Sequence, residues 1–323
     1  MTATSESPTD EVSVRPMREA DIAAADAVMR TAFGSFLGMP EPRAFMGDAS
    51  AVQPRWRSNP AGAFAAHARG SLVGSIFATR WGSFGFFGPL SVRPDLWDRG
   101  IGKRLLEPVM ECFESWQVTH AGLYTFADSP KHMALYQYFG FWPRFLTAVM
   151  AKPVSSEREI VPDWSVFSRA ADGQRPALLA ACRRVTDALY EGLDLADEIQ
   201  AVAAHGLGET VLLQADGELA GFAVCHFGAG TEGGSTSCYV KFAAVRPGKA
   251  AATHCAQLLL ACEALARDRG LGSLAAGTNL ARAETYRLMR QHGFRTFLQG
   301  VAMQRPNEAA FNRAGVFIID DWR

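Results

Sequence analysis

The stretch Leu90-Ser91-Val92-Arg93-Pro94-Asp95-Leu96-Trp97-Asp98-Arg99-Gly100-Ile101-Gly102-Lys103-Arg104 holds the densest chemistry in the chain. An apolar, strand-like run ends, the chain turns at Pro94, and a glycine pair opens a long amphipathic segment. A helix that starts there presents unpaired backbone N–H groups and the positive end of its dipole at one place. Gly100 and Gly102 let an anion approach the main chain, while Arg99, Lys103 and Arg104 add positive charge. That construction suits a phosphate or pyrophosphate. It is not a G-x-x-x-x-G-K-[ST] loop, which the stretch lacks. Nor is it G-x-G-x-x-G, because Leu105 stands where the third small residue belongs. A second near match, Gly270-Leu271-Gly272 with Ala275, runs from helix into strand, the wrong order for that motif.

Further along lies Ser129-Pro130-Lys131-His132-Met133-Ala134-Leu135-Tyr136-Gln137-Tyr138-Phe139-Gly140-Phe141. Together the two stretches resemble the GNAT superfamily of N-acetyltransferases. The family's first motif is V-x-P followed by Q/R-x-x-G-x-G/A, and Val92, Pro94, Gly100 and Gly102 fall at its spacing. The second is N-x-x-A-x-x-L-Y-x-x-x-G-F, matched by Leu135, Tyr136, Gly140 and Phe141. Ser129 stands for the Asn, His132 for the Ala, and Trp97 for the Gln or Arg. The resemblance implies an acetyl-CoA site in the first half. The main chain of Leu90, Ser91 and Val92 would hold the pantetheine arm. The loop of Arg99, Gly100, Ile101, Gly102, Lys103 and Arg104 would cradle the pyrophosphate, with Ser129 on the cofactor side. Tyr136 would act as general acid on the departing thiolate. A phenol with a pKa near 10 can give up a proton to a thiolate yet stays protonated at neutral pH. The competing reading of Tyr136 is a core aromatic on an amphipathic helix.

An attacking ammonium must also lose a proton. No acid stands between Arg80 and Val92, where the family often keeps one. The candidate bases are Asp128, His132 (one helical turn before Tyr136) and Glu41; each is also an ordinary surface or capping residue. Residues 34–48, rich in Gly, Pro and Phe, are expected to line or cover the acceptor pocket.

These residues sit in a repeat. Val92-Arg93-Pro94 recurs as Val245-Arg246-Pro247, and Gly140-Phe141 as Gly293-Phe294, both at an offset of 153 (245 − 92 and 293 − 140). Period-2 and helical patterns follow one order in each half. Strands are expected at 12–17, 63–68, 72–81, 85–92, 123–126 and 145–151, with helices at 20–37, 100–117 and from Pro130 to Gly140. The second half repeats the strands at 211–214, 219–227, 239–245, 274–276 and 301–304, the helices at 250–269 and 281–292, and adds a strand at 316–320. The expected fold is α/β (α+β): two tandem acetyltransferase-like units, each a mixed, mostly antiparallel sheet flanked by helices. The boundaries are a disordered tail at 1–10, a first unit at 11–153, a linker at 154–164 and a second unit at 165–323. By the offset, Thr253, Cys255 and Met289 replace Gly100, Gly102 and Tyr136, so the second cofactor site reads as degenerate.

Composition narrows the rest. With 32 Lys+Arg against 33 Asp+Glu the net charge is −1, which leaves no cationic excess for nucleic acid. No apolar run approaches the roughly 18 residues of a membrane helix, and the start, MTATSESPTDE, is unlike a signal peptide. The six cysteines form no C-x-x-C and the histidines no H-E-x-x-H, so a cytoplasmic, metal-free protein is expected. The expected activity is acyl transfer, acetyl first, from acyl-CoA to the amine of a small molecule by direct attack. The alternative is a non-catalytic CoA-binding or interaction protein. A homodimer is compatible with the sequence and not required by it.

Overall fold

The structure, a computed structural model, describes residues 12–156 and 163–323; the expected tail at 1–10 and residues 157–162 of the expected linker lie outside them. In the first half the order is β1 (Val12–Pro16), α1 (Ile22–Phe36), α2 (Val52–Ser58), β2 (Ala63–Ala68), β3 (Ser71–Trp81), β4 (Phe84–Phe87), β5 (Ser91–Val92), α3 (Ile101–Ser115), β6 (His120–Thr125), α4 (Pro130–Tyr138) and β7 (Trp142–Pro153). In the second it is β8 (Trp164–Val166), α5 (Arg175–Asp187), α6 (Ala196–His205), β9 (Gly208–Ala215), β10 (Glu218–Gly228), β11 (Gly234–Val245), α7 (Ala251–Asp268), β12 (Ser273–Asn279), α8 (Ala283–Gln291), β13 (Arg295–Arg305) and β14 (Ile318–Ile319). The offset of 153 holds along the chain: α4 and α8 start at 130 and 283 and end at 138 and 291.

The α3 helix forms because Ile101, Leu105, Leu106, Val109, Met110 and Phe113 recur at helical spacing, and all six are buried. The α4 helix starts where Ser129 caps it, its Oγ accepting from the His132 N–H at 3.4 Å, with Pro130 in the first turn. The run at 85–92, expected as one strand, is two: β4 and β5 both pair with β3, but the pairing is interrupted and its register shifts after Phe87, and only β4 also pairs with β6. The strand expected at 316–320 narrows to β14, Ile318–Ile319. Helices α2, α5 and α6 are additions to the elements read from the sequence.

Fourteen strands among the described residues join in one sheet. Its order is β1-β2-β3-β4-β6-β13-β7-β12-β11-β10-β9-β8, with β5 on β3 and β14 on β11. The halves have exchanged their last strands. The first half's β6 is covered by β13 from the second half (Val301 opposite Thr125), while β7 from the first half covers β12 (Ala148 opposite Thr278). At the centre β7 and β13 run antiparallel beside each other. The sheet is mixed and mostly antiparallel; its parallel pairs are β4 with β6 and β11 with β12. Helices α3 and α4 cover one face of the first half, and α7 and α8 the matching face of the second. On the first half's other face, Trp81, Phe84 and Phe86 pack with Leu189, Ile199 and Val202 of the second half.

Candidate active site

The first half's sheet opens at one place. Strands β4 and β6 pair in parallel from Phe84 and His120 to Phe87 and Leu123, then diverge. Beyond Gly88 the chain stays on β3 and no longer pairs with β6, with Val92 opposite Gly74 and Ser91 opposite Ser75. The Arg93 N–H donates to the Val73 carbonyl at 2.8 Å. In an antiparallel ladder the bonded sides alternate, so Ser91 faces β3 while the N–H and C=O of Val92 turn away from it, into the opening. The Ser91 and Ser75 hydroxyls, both buried, lie 3.2 Å apart. Trp97 Nε1 donates to the Val92 carbonyl at 2.7 Å. The residue at the motif's Gln or Arg position thus holds the strand.

At the mouth of the opening α3 begins. Gly100 is its N-cap with φ +74°, a left-handed conformation that disfavours a side chain, although a Cβ there would meet nothing within 4 Å. A Cβ on Gly102 would rest 3.4 Å from Leu135 and 3.7 Å from Leu90, ordinary contact. Ile101 is buried in the core. The three cations of the loop are disposed differently. Lys103 Nζ lies 3.7 Å from the Tyr138 ring centroid, Arg104 donates to the Val12 carbonyl at 2.9 Å, and Arg99 is exposed.

Tyr136 points inward from α4. Its ring is buried, 5.7 Å from that of Phe87, and its hydroxyl bonds the Thr125 side chain on β6. Burial raises its pKa; the Thr125 bond lowers it in part. The phenol is therefore protonated at neutral pH, as a general acid must be. His132 turns toward α1, its ring 5.0 Å from that of Phe36, which packs 4.8 Å from Phe126. Burial and Lys131 lower the His132 pKa while Asp128 raises it, so the imidazole is neutral near pH 7 and can accept a proton. Asp128 and Glu41 are exposed. Segment 34–48 is pinned at its C-terminal end. Arg30 donates to the Gly47 carbonyl at 2.8 Å and to that of Phe45, and the Gly230 N–H donates to the Asp48 carbonyl at 2.8 Å.

Arg55 escaped the sequence reading. It is buried on α2 and donates to the Gly88 carbonyl, where the sheet opens, and to Glu232 of the second half at 2.9 Å. Glu232 also accepts from Lys241 at 2.8 Å, and Lys241 lies 2.9 Å from Glu198. Burial alone would raise the Glu198 pKa; Lys241 and His226 overcome it and bring it down to about 2. Arg55, Thr79, Arg80, Trp116, Glu198 and Lys241 line a cleft of about 430 Å³ between α2 and α6. The available signal was spacing: Val52 and Arg55 are three apart, on one helix face, and both are buried. Among the described residues, no group of three or more His, Cys, Asp or Glu could hold a metal, and no helix is long and apolar enough to cross a membrane.

Residues 28–141, which contain the opening, the α3 loop and Tyr136, match the model of the acetyltransferase (GNAT) family. No curated protein matches the chain. Among solved structures, a candidate acetyltransferase from Pyrococcus horikoshii superposes with a TM-score of 0.70 at 14% identity, over 99% of this chain and 98% of that one. A GCN5-related N-acetyltransferase from Sphaerobacter thermophilus gives 0.58 at 15% identity, over 92% and 96%. A tandem GNAT protein from the clavulanic acid biosynthesis pathway gives 0.55 at 13%, over 91% and 98%. At such identities the likeness is one of fold, and it extends over both halves. Residues 28–141 thus match the acetyltransferase (GNAT) family model, within a chain whose fold is similar to that of the tandem GNAT protein.

Proposed function

We propose that the chain is an acyl-CoA-dependent N-acyltransferase that moves an acetyl group to the amine of a small molecule at the opening beside β5. The observation that carries this reading is the conjunction at one point of three features: the divergence of β4 from β6, the outward-facing main chain of Val92, and the left-handed Gly100 that starts α3. The Val92 N–H can pair with an amide of the pantetheine arm as a further strand would. The N-terminus of α3 offers backbone N–H groups to the pyrophosphate, and Arg99 and Lys103 supply charge. The thioester contributes an acyl carbon open to attack by an amine. Tyr136 holds a proton at Oη for the departing sulfur. His132 accepts the proton that the amine releases. The cleft between α2 and α6 suits the acceptor in size and polarity, with Asp197 and Glu198 against Arg80 and Lys241 on its walls.

A second reading, a CoA-binding protein without turnover, draws on the sequence of β4: Phe84-Gly85-Phe86-Phe87 offers no carboxylate beside the opening. Free-thiol release from acetyl-CoA with a panel of small amines, alongside calorimetric titration of the cofactor, separates the two. Turnover with at least one amine supports acyl transfer; tight binding with no thiol release across the panel favours the second reading.

A further inference from the structure

The second half has the same opening, and the chain's own tail lies in it. Strands β11 and β12 pair in parallel from Ser237 and Ser273 to Val240 and Ala276. Further along β11, Ala243 and Ala244 pair instead with Ile319 and Ile318 of β14. By the offset of 153 these two residues correspond to Leu90 and Ser91 (243 − 153 and 244 − 153). The match extends to single atoms. The Arg246 N–H donates to the Ala220 carbonyl at 2.8 Å, as that of Arg93 does to Val73. The next N–H back, that of Val245, therefore faces the opening, as that of Val92 does. In the second half it has a partner: it donates to the Phe317 carbonyl at 3.3 Å.

Three side-chain differences between the halves accompany the tail. Arg282, at the position of Ser129 (282 − 153), is fully buried and grips Asp320, with bonds of 2.8 and 3.2 Å to its carboxylate and 3.1 Å to its carbonyl. Gly277, at the position of Tyr124 (277 − 153), makes room for Asp321; a Cβ there would collide with the Asp321 side chain. Thr285 donates to the Val316 carbonyl at 3.0 Å. A tail that rested on the surface by chance would not call for a buried guanidinium and a glycine, both placed where it passes.

We infer that Phe317–Asp321 stands in the second half where the arm of acyl-CoA lies in the first. The second opening is a ligand site filled from within, and it takes no cofactor. This rests on the proposed function for its account of the first half. Thr253 and Cys255 at the glycine positions then follow, since a loop with no phosphate to meet needs no glycine. The tail supplies permanently the strand partner that the first half acquires only with its cofactor.

Residue-resolved hydrogen exchange on the full chain tests this, with and without saturating acetyl-CoA. The Val245 amide is expected to be protected without ligand and unchanged by it. The Val92 amide is expected to exchange freely alone and to slow at least tenfold with acetyl-CoA. Asp320→Asn loosens the Arg282 grip and should speed exchange at Val245 about tenfold, with the acetyl-CoA response at Val92 intact. If that variant fails to fold, the wild-type comparison still decides. Fast exchange at Val245 in the ligand-free chain overturns the inference, as does a slowing at Val245 on adding acetyl-CoA or two bound cofactors per chain. A Val92 amide indifferent to acetyl-CoA overturns the proposed function instead, and with it the equivalence drawn here.

Discussion

Gly100 and Gly102 stand two residues apart and differ in what they tolerate. At Gly100 the backbone itself is left-handed, so an alanine there carries a conformational cost of about 1–2 kcal/mol although nothing crowds it. At Gly102 the nearest contact is ordinary, so Gly102→Ala should fold and bind, while Gly102→Trp should obstruct the loop and abolish acetyl-CoA binding in a calorimetric titration that gives one site for the wild type. Tyr136 makes a separable contribution. Tyr136→Phe should lower kcat by about 10²-fold, the low end of general-acid effects, with acetyl-CoA Kd nearly unchanged. The low end is expected because a thiolate, whose acid has a pKa of roughly 8.5, leaves tolerably without help. Steady-state turnover paired with a binding titration checks it; unchanged kcat would make Tyr136 a packing residue. His132 predicts a pH signature. A base must be neutral to act, and its pKa lies below the usual imidazole value, so the acidic limb of kcat/KM should fall below about pH 6.5 and vanish in His132→Ala. An unmoved limb would remove His132 from the reaction.

At the scale of elements, the site is framed by a break that the sequence hides. Residues 85–92 read as one apolar strand because nothing in Phe86-Phe87-Gly88-Pro89-Leu90 changes its hydrophobic character; only pairing shows that β4 lies between β3 and β6 while β5 keeps β3 alone. The α3 loop was legible for the opposite reason: a left-handed start and a close approach restrict residue type, and the restriction shows as glycine. Arg55 was illegible because its meaning lies in Glu232, 177 residues away. Helices α2 and α6, which frame the cleft, bury faces against the other half, and that partner is absent from any local pattern. The buried charges between those helices set acid stability. Glu198 titrates near 2 in the folded chain and near 4.5 unfolded, so the stabilisation is complete above about pH 4.5 and is lost as pH falls toward 2. Melting temperature should fall steeply through that window. In Glu198→Gln the slope should be shallower, and stability at neutral pH lower by about 3–5 kcal/mol because Lys241 loses a buried partner. An unchanged slope would show that other carboxylates govern acid unfolding.

At the scale of the whole molecule, the repeat explains both what could be read and what could not. Two units were visible because α4 and α8 keep the same spacing and length. The exchange of their last strands was not, because β7 and β13 are copies of one strand and either pattern suits either neighbour. Deleting 316–323 should lower the melting temperature by several degrees, since Phe317, Ile318, Ile319 and Trp322 are packed into the cores of both halves; a truncated chain that melts like the full one would make the tail dispensable. Residues 1–156 alone should show no cooperative melting, because the edge of β6 loses β13, and should recover it on co-expression with 157–323. The pairing of Thr125 with Val301 also has a consequence in time. The two residues are 176 positions apart (301 − 125), so at roughly 5–20 residues per second the ribosome needs about 9–35 seconds after making β6 to supply the strand that covers it. Through that interval the first half carries an open apolar edge, a state suited to chaperone capture or to pairing with a neighbouring nascent chain. Chains arrested before residue 295 should be cut by protease near 120–125, and chains arrested well beyond 305 should resist. The two motifs are complete by residue 141, but the sheet that carries them is finished only when the second half has been made.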